Sequence, residues 1–227
     1  MRAFHQSMIA IAAIAVSTQA SATVVDNFND GSTSAWTAQS GTITEVGGAF
    51  SGSNMSVATL NGASATKIGV NAKSSGDSIQ YVALVMNYES LTNNLFVKMQ
   101  DNNSNGKFDR VFMYSGNNYS YSAVQGYNYF DLSFEIEESF FELTDNLDGT
   151  ISVFVEETGQ TVTRSLVSPF SGTGIGLGFY GGATVDNFYT NGGLALEPVA
   201  AVPAPAALGL FGLGLLGLGA RVRRRPA

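Results

Sequence analysis

Short apolar or alternating segments, separated by turn-forming residues, recur along the middle of this 227-residue chain. Strands of about four to eight residues give this pattern, whereas an amphipathic helix repeats its apolar positions every three to four residues. No long stretch of the middle follows the helical period. Strands joined by turns predict an all-β fold, an antiparallel β-sandwich. The segments with strand character are 79–86, 95–99, 110–114, 129–136, 140–144, 151–155 and 175–180.

One pair of these segments has the features of a hairpin. Segments 140–144 and 151–155 flank the sequence Asp-Asn-Leu-Asp-Gly at 145–149. Asn, Asp and Gly accept the backbone conformations of tight turns, so the two segments are predicted to pair antiparallel.

Composition supports a single all-β domain. Charged residues make up only 13% of the chain and there are 26 glycines, as expected for many short strands and turns. Without the two termini, the remainder has the length of one domain. We therefore assign residues 23–192 to the β-sandwich and residues 193–201 to a linker.

The charge is unevenly distributed. The chain has a net charge of −7, but five of its 11 cations lie near the termini. Residues 23–198 keep six cations against all 18 acids, a net charge of −12. Such a surface repels phosphate backbones and attracts cations, which excludes nucleic acid as a partner and makes calcium a candidate ligand.

Several catalytic and metal-binding classes are excluded by residue types. The chain has no cysteine, and its single histidine, His5, lies in the N-terminal segment described next. The remaining chain therefore cannot form disulfides, thiolate zinc sites, a cysteine nucleophile or a Ser-His-Asp triad.

The N-terminus has the three parts of a secretion signal. Arg2 precedes an apolar stretch at 8–16, and Ala20-Ser21-Ala22 is a small-x-small cleavage site. Residues 1–22 are predicted to be a signal helix that signal peptidase removes. A buried N-terminal helix is the alternative.

The C-terminus predicts a membrane segment of a particular kind. Val202, Pro203, Ala204 and Pro205 precede an apolar run at 206–220. A helix over this run would be about 22 Å long, shorter than the bilayer core. Cations that follow the run favour the cytoplasmic face and stop further translocation. These cations are Arg221, Arg223, Arg224 and Arg225. A permanent anchor and a buried core helix are the alternatives.

This tail, residues 202–227, resembles the PEP-CTERM sorting domain of Gram-negative bacteria. Ala204 stands where that family usually has Glu, while both prolines are kept. The resemblance implies recognition by the membrane-embedded exosortase, cleavage near the proline pair and transfer to the cell surface or biofilm matrix.

A tetrapeptide occurs at both ends of the middle domain. Val-Asp-Asn-Phe stands at 25–28 and again at 185–188. The repetition indicates that the first and last strands are equivalent edges of one sandwich, with Phe28 and Phe188 directed into its core.

The sequence around these repeats resembles concanavalin A-like lectin and glucanase jelly rolls, including laminin-G-like modules. The shared elements are Asp-Asn-Phe-x-Asp-Gly at 26–31, Trp36, and Gly-Phe-Tyr-Gly-Gly-Ala-x-Val-Asp-Asn-Phe at 178–188. The resemblance implies a calcium site where the termini meet, formed by Asp26, Asp30 and Asp186. The same residues also suit Asx turns that close strand ends.

A second calcium candidate has a ligand pattern of its own. Oxygen-bearing side chains alternate around Gly106, which permits a sharp bend. The candidate ligands are Asp101, Asn103, Asn105 and Asp109, whose side chains carry oxygen, together with Lys107 at the position between the last two. Phe112 replaces the Glu that ends an EF-hand loop, and strands flank the segment, so an Asn-rich hairpin loop is the alternative.

The segment 114–129 is rich in Tyr, Asn, Ser and Gln. Tyrosine rings can stack on sugars while amides and hydroxyls bind their hydroxyl groups. Tyr119, Tyr121 and Tyr127 are therefore candidate ligands for extracellular polysaccharide. Strands also favour tyrosine for packing, which is the alternative.

A catalytic role has weaker support. The segment Glu135-Ile136-Glu137-Glu138 is similar to the family-16 glycosidase motif, but Glu137 replaces its Asp and Phe140 its last Glu. Glu135 and Glu137 follow the polar-out pattern of a half-exposed strand, and Phe134 and Ile136 are expected on its opposite, core-facing side. We expect a non-catalytic, lectin-like surface protein. A jelly-roll glycoside hydrolase and a purely structural biofilm component are the alternatives.

Overall fold

The computed structural model describes residues 23–76, 78–117 and 121–191. These residues form strands and turns and contain no helix. The sixteen strands are β1 (Thr23–Asp26), β2 (Trp36–Ser40), β3 (Ile43–Val46), β4 (Ala49–Gly52), β5 (Ser56–Leu60), β6 (Lys67–Lys73), β7 (Gln80–Ser90), β8 (Asn93–Asp101), β9 (Phe108–Ser115), β10 (Tyr121–Ser122), β11 (Tyr129–Ile136), β12 (Glu138–Asp145), β13 (Thr150–Val155), β14 (Gln160–Ser165), β15 (Gly174–Tyr180) and β16 (Thr184–Thr190).

The strands form two antiparallel sheets of eight. Sheet A has the order β14-β13-β12-β6-β16-β4-β3, and β1 pairs with β16. Sheet B has the order β10-β9-β8-β7-β15-β5-β2, and β11 pairs with β9. The two sheets pack through their inner faces, where Phe50 of sheet A meets Phe179 of sheet B at 5.6 Å between ring centroids. The all-β sandwich prediction is confirmed.

Six of the seven segments predicted as strands lie wholly within strands of the structure, and the seventh, 79–86, begins one residue before β7. The predicted hairpin is also confirmed, because β12 pairs with β13 from Phe141 opposite Val155 to Asp145 opposite Ile151. The pattern missed β2 to β6, β10 and β14, whereas β1 and β16 were expected only from the repeated tetrapeptides. The missed β14 is polar except for Val162 and lies at the edge of sheet A.

The repeated tetrapeptides meet in space. Phe28 and Phe188 are both completely buried, as predicted. Trp36 packs edge-on against Phe188 at 5.1 Å, and Phe28 stacks on Phe50 at 4.8 Å. The prediction of two equivalent edge strands is wrong, because β16 lies inside sheet A between β6 and β4, while β1 pairs only with the end of β16. Neither the polar residues between the two tetrapeptides nor the aromatic core residues indicated this strand order in the sequence.

Both termini lie outside the described residues. The predicted signal helix at 1–22, the linker, the Pro-x-Pro strip at 202–205, the apolar run and the arginines all belong to these parts. Among the residues that the structure describes, no helix is long and apolar enough to cross a membrane.

Candidate functional site

The central strands of sheet B are buried on both faces. Val82 lies opposite Phe179 on the inner face, so the alternate residues Tyr81, Ala83 and Val85 point away from sheet A. Together with Phe96 they form a second apolar cluster on this outer face. Partly buried side chains pack against that cluster: Tyr88, Leu91, Tyr114 and Tyr180. The outer face of sheet B is therefore an aromatic surface.

A line of rings crosses this face from β9 to the edge strand β11. Tyr114 stacks on Phe112 at 5.8 Å between centroids, Phe112 lies 6.0 Å from Tyr129, and Tyr129 lies 6.0 Å from Tyr127. Tyr127 is 77% exposed and ends the line in solvent. We call these four residues the aromatic row.

Lys98 lies beside the aromatic row. Its Nζ is 4.8 Å from the centroid of Tyr81, 5.1 Å from Phe112 and 5.5 Å from Tyr114. A cation over ring faces is attracted by their quadrupoles. Burial lowers the pKa of the Lys98 ammonium group to about 8, which leaves it mostly protonated at neutral pH.

A second cation lies at the exposed end of the row. The Arg110 guanidinium carbon is 4.7 Å from the centroid of Tyr129, and its Nε donates to the carboxylate of Asp131 on β11. These contacts fix the guanidinium plane over the ring. The row therefore combines flat apolar faces with a charged, hydrogen-bonding pair.

A polar groove lies on the β2, β5 and β15 side of sheet B. It has a volume of about 430 Å³, and Tyr88 contributes an aromatic side chain to its lining. Gln39 donates to Thr59 at 2.8 Å, and Thr37 donates to Asn61 at 2.6 Å. Hydroxyl and amide groups thus line the groove.

The predicted ligand tyrosines lie in different places. Tyr127 belongs to the aromatic row, Tyr121 is 70% exposed on β10, and Tyr119 lies outside the described residues. Sequence reasoning missed Phe112, Tyr114 and Tyr129 as a set. Alternation along β9 and the pairing of β9 with β11 would have placed them on one face.

The predicted calcium loop connects β8 to β9 and is closed by internal hydrogen bonds. Asp101 is fully buried and accepts the backbone N–H groups of Asn105 and Gly106 at 3.2 and 2.8 Å. The side-chain amides of Asn103 and Asn105 donate to Glu135 at 2.7 and 2.8 Å.

The remaining members of this loop also take part in turn contacts. The backbone N–H of Lys107 donates to the Asn105 side chain at 3.0 Å, and Asp109 accepts from the backbone of Asn102 at 3.1 Å. Burial is the main cause that raises the pKa of Asp109. The hydrogen bonds are those of an Asx-stabilised turn, and calcium binding here stays a prediction.

The candidate site at the termini contains a residue that the sequence did not indicate. Glu45 of β3 is only 7% exposed, and its Oε1 accepts the backbone N–H of Gly31 at 2.7 Å. Its Oε2 is buried without a hydrogen-bond partner. Burial raises the pKa of Glu45, and the carboxylates of Asp30 and Asp26 raise it further.

The three predicted ligands of this site have separate roles. Asp26 accepts from the Trp36 indole at 2.7 Å and from the backbone of Phe28 at 2.9 Å, and Asp30 accepts from the backbone of Ser32 at 2.8 Å. Asp186 lies on β16 with a buried Oδ1 that has no hydrogen-bond partner. Among the described residues, no three Asp, Glu, His or Cys side chains are grouped to hold a metal ion.

The glutamates of the glycosidase-like segment lie at the end of β11. Glu135 and Glu137 are exposed and Ile136 is buried, as the polar-out interpretation predicts. Phe134 is 54% exposed, although it was expected to face the core.

The fold is that of a jelly-roll β-sandwich, and it resembles solved structures of that class. A prokaryotic β-1,3-1,4-glucanase (lichenase) from a mouse hindgut metagenome is 12% identical, with a TM-score of 0.51 over 72% of this chain and 96% of that chain. A Bacillus licheniformis β-glucanase is 12% identical, with a TM-score of 0.51 over 72% and 95%. The carbohydrate-binding module CBM66 from Bacillus subtilis is 13% identical, with a TM-score of 0.49 over 69% and 91%.

The C-terminal resemblance is confirmed by a family match. Residues 201–225 match the PEP-CTERM protein-sorting motif, so the chain carries this motif behind its jelly-roll domain. The motif points to an exported, surface-associated protein of Gram-negative bacteria and implies processing by exosortase. No curated protein matches the chain.

Proposed function

We propose that this protein is a non-catalytic surface or matrix protein that binds extracellular polysaccharide on the outer face of sheet B. The observation that carries the proposal is the aromatic row, which leads from the buried cluster to Tyr127 in solvent. Sugar rings have apolar C–H faces that stack on aromatic side chains, and their hydroxyl groups require polar partners nearby.

The row supplies both kinds of contact. The rings of Tyr129 and Tyr127 lie 6.0 Å apart, so two platforms are available within one extended ligand. Arg110 and Asp131 stand next to Tyr129 with donors and acceptors already oriented by their ion pair. Preorganised groups lose little side-chain entropy on binding, which favours affinity.

The polar groove lies on the other side of the same face. Its hydroxyl and amide groups, together with Tyr88, suit a second segment of a long glycan. A polysaccharide that contacts both regions would bind with higher avidity, because its sugar units are covalently linked.

The non-catalytic part of the proposal rests on how the nearby carboxylates are used. A retaining glycosidase needs two carboxyl groups about 5 Å apart, one of them able to donate a proton. Asp131 is held by Arg110, and Glu135 is held by two amides of the β8–β9 loop. The fold shared with two β-glucanases makes hydrolysis the alternative to test.

We also propose that the tail is inserted in the membrane before processing and that exosortase then cleaves near Pro203 and Pro205. The apolar run and the arginines that follow it support transient insertion, because they oppose complete translocation. Intact-mass analysis of surface-extracted protein tests this. A mass ending near Pro205 supports cleavage, whereas a mass that includes Arg225 supports a permanent anchor.

Calcium is proposed as a stabilising ligand. A buried carboxylate oxygen such as Oε2 of Glu45 requires a proton or a cation close by, and Asp30 and Asp26 add negative charge at the same place. Oxygen ligands of this type suit calcium. The cation would there offset the repulsion between the carboxylates.

The test of glycan binding is a glycan array probed with the folded protein, followed by calorimetry on any glycan retained. Binding that is lost on substitution within the aromatic row supports the proposal. Absence of binding to every glycan of an array that includes acidic and neutral exopolysaccharides favours the purely structural role. Release of reducing sugar from a panel of β-glucans would establish the hydrolase instead.

A further inference from the structure

One end of the sandwich holds both the last described residue and the hairpin between β12 and β13. Asn191 donates its backbone N–H to the carbonyl of Lys67 at 3.2 Å and its side-chain amide to Thr66 at 2.9 Å. Asp145, at the start of the hairpin turn, donates its backbone N–H to the same Thr66 at 2.8 Å. The turn at 146–149 is therefore close to the point where the chain leaves the sandwich.

Apolar side chains project into solvent at this end. Leu147 at the tip of the hairpin is 76% exposed, and Val167 in the segment after β14 is 60% exposed. Both line a cavity of about 380 Å³, together with Pro169 and Phe170. The backbone N–H of Leu166 donates to Gly149 at 2.9 Å, which joins the two segments.

Leu147 is fixed in an unusual conformation. Its φ is +60°, a left-handed value that a leucine rarely adopts. The carboxylate of Asp145 accepts its backbone N–H at 2.9 Å and holds the turn. The turn therefore presents an apolar side chain outward at a position where Asn or Gly would be less strained.

The length of the following chain limits how far this end can be from a membrane. Residues 192–205 separate Asn191 from Ala206, the first residue of the apolar run. Fifteen extended residue steps span at most about 54 Å. A tail inserted in a bilayer would thus keep the Leu147 end within that distance of the lipid headgroups.

We propose that Leu147 and Val167 dock on the bilayer surface while the tail is still attached. The inference rests on the proposed membrane insertion of the tail, which supplies the high effective concentration that a small apolar contact needs. The domain carries a net charge of −12 over residues 23–198, so a zwitterionic surface is favoured over an anionic one. Cleavage of the tail would release the contact along with the protein.

The experiment uses the full chain in phosphatidylcholine or phosphatidylethanolamine vesicles. Because the chain has no cysteine, a single label can be attached through Leu147→Cys. Ile79→Cys is the matched control: Ile79 is also an exposed apolar residue, 46% accessible, and lies by Gly181 at the opposite end. Lipid-borne quenchers should reduce the fluorescence at position 147 at least about twofold more than at position 79.

The outcomes separate docking from anchoring. Equal quenching at both positions, in protein whose tail is retained in the vesicles, overturns docking and leaves the anchor intact. Protein that is not retained overturns both. In detergent, the label at position 147 is instead tested at rising protein concentration. If the label becomes shielded, a second copy of the chain covers this surface, and that result also overturns the proposal. Val167→Ser should lower the quenching at position 147. Val46→Ser, at the end of β3 and 75% exposed, is the matched control and should not.

Discussion

The indole N–H of Trp36 donates to Oδ2 of Asp26 across 2.7 Å, which ties the end of the first strand to the aromatic core. Asp26 is thereby an acceptor for the core as well as a candidate metal ligand, since its Oδ1 accepts from the backbone of Phe28. Removal of the carboxylate would leave the buried indole N–H of Trp36 unsatisfied.

Asp26→Asn is expected to destabilise the domain. The new amide cannot accept both hydrogen bonds, so the cost should be about 1–3 kcal/mol. For a domain of this size, that lowers Tm by about 2–4 °C per kcal/mol in calorimetry. Glu137→Gln, at an exposed position, is the control and should be neutral. An unchanged Tm for Asp26→Asn would show that this contact contributes nothing.

Glu45 should make stability depend on pH in the acidic range. Its pKa is raised in the folded state, so the folded protein holds the proton more tightly and the penalty appears as pH rises from about 4.5 through the raised value. Glu45→Gln keeps an acceptor for Gly31 and removes the charge. In denaturant unfolding without calcium, the free energy of unfolding of the variant should increase relative to that of the wild type between pH 4 and 7. A constant difference would contradict the assignment.

Calcium should raise the Tm of the metal-stripped protein at millimolar concentration, because bound ligand stabilises the folded state by mass action. Loss of the increment in Glu45→Gln would assign the site to the termini, and loss in Asp101→Asn would assign it to the β8–β9 loop. For each variant, the calcium-induced rise in Tm is compared rather than the Tm itself, since each substitution also changes the stability of the calcium-free protein. No shift at millimolar calcium would remove both candidates.

Lys98→Met should stabilise the domain at pH 7. The pKa of Lys98 is lowered from 10.5 to about 8, so its charged form is disfavoured in the folded state and wild-type stability should rise with pH between about 8 and 10.5. The advantage of the methionine variant should accordingly shrink over that window in urea titrations. Lys73→Met, at a side chain that is 59% exposed, is the control for the loss of a lysine at a site outside the aromatic surface.

Tyr129→Ala should weaken glycan binding about tenfold, equivalent to about 1.4 kcal/mol, because it removes the ring between Phe112 and Tyr127. Phe134→Ala, on the same strand and 54% exposed, is the matched control. Calorimetry on the array-selected glycan measures both. Equal affinities for the two variants would place the glycan elsewhere.

The strands with strong apolar character could be predicted from the sequence, because each of them satisfies its pattern locally. β14 could not, since a polar edge strand pairs through its backbone and Gln160–Ser165 has no apolar alternation. Continuous burial along β7 and β8 also concealed which residues face outward. The sequence therefore did not indicate the position of Lys98 beside the aromatic rings, which depends on its neighbours on β7 and β9.

The candidate site divides in the same way. Tyr127 was predicted from composition, but its partner Tyr129 acquires meaning only through the register of β11 against β9. Glu45 was not predictable, because its burial and its raised pKa depend on a loop 14 residues away that supplies Gly31, Asp30 and Asp26.

The order of the sheets sets a condition on export. The last two strands occupy interior positions, β15 between β7 and β5, and β16 between β6 and β4. Until about residue 190 has left the ribosome, each sheet consists of two halves with no strand to join them, and long-range pairing of this kind is slow. The sandwich therefore cannot complete its folding early in synthesis. The chain stays unfolded and competent for translocation until almost all of it is available for transport.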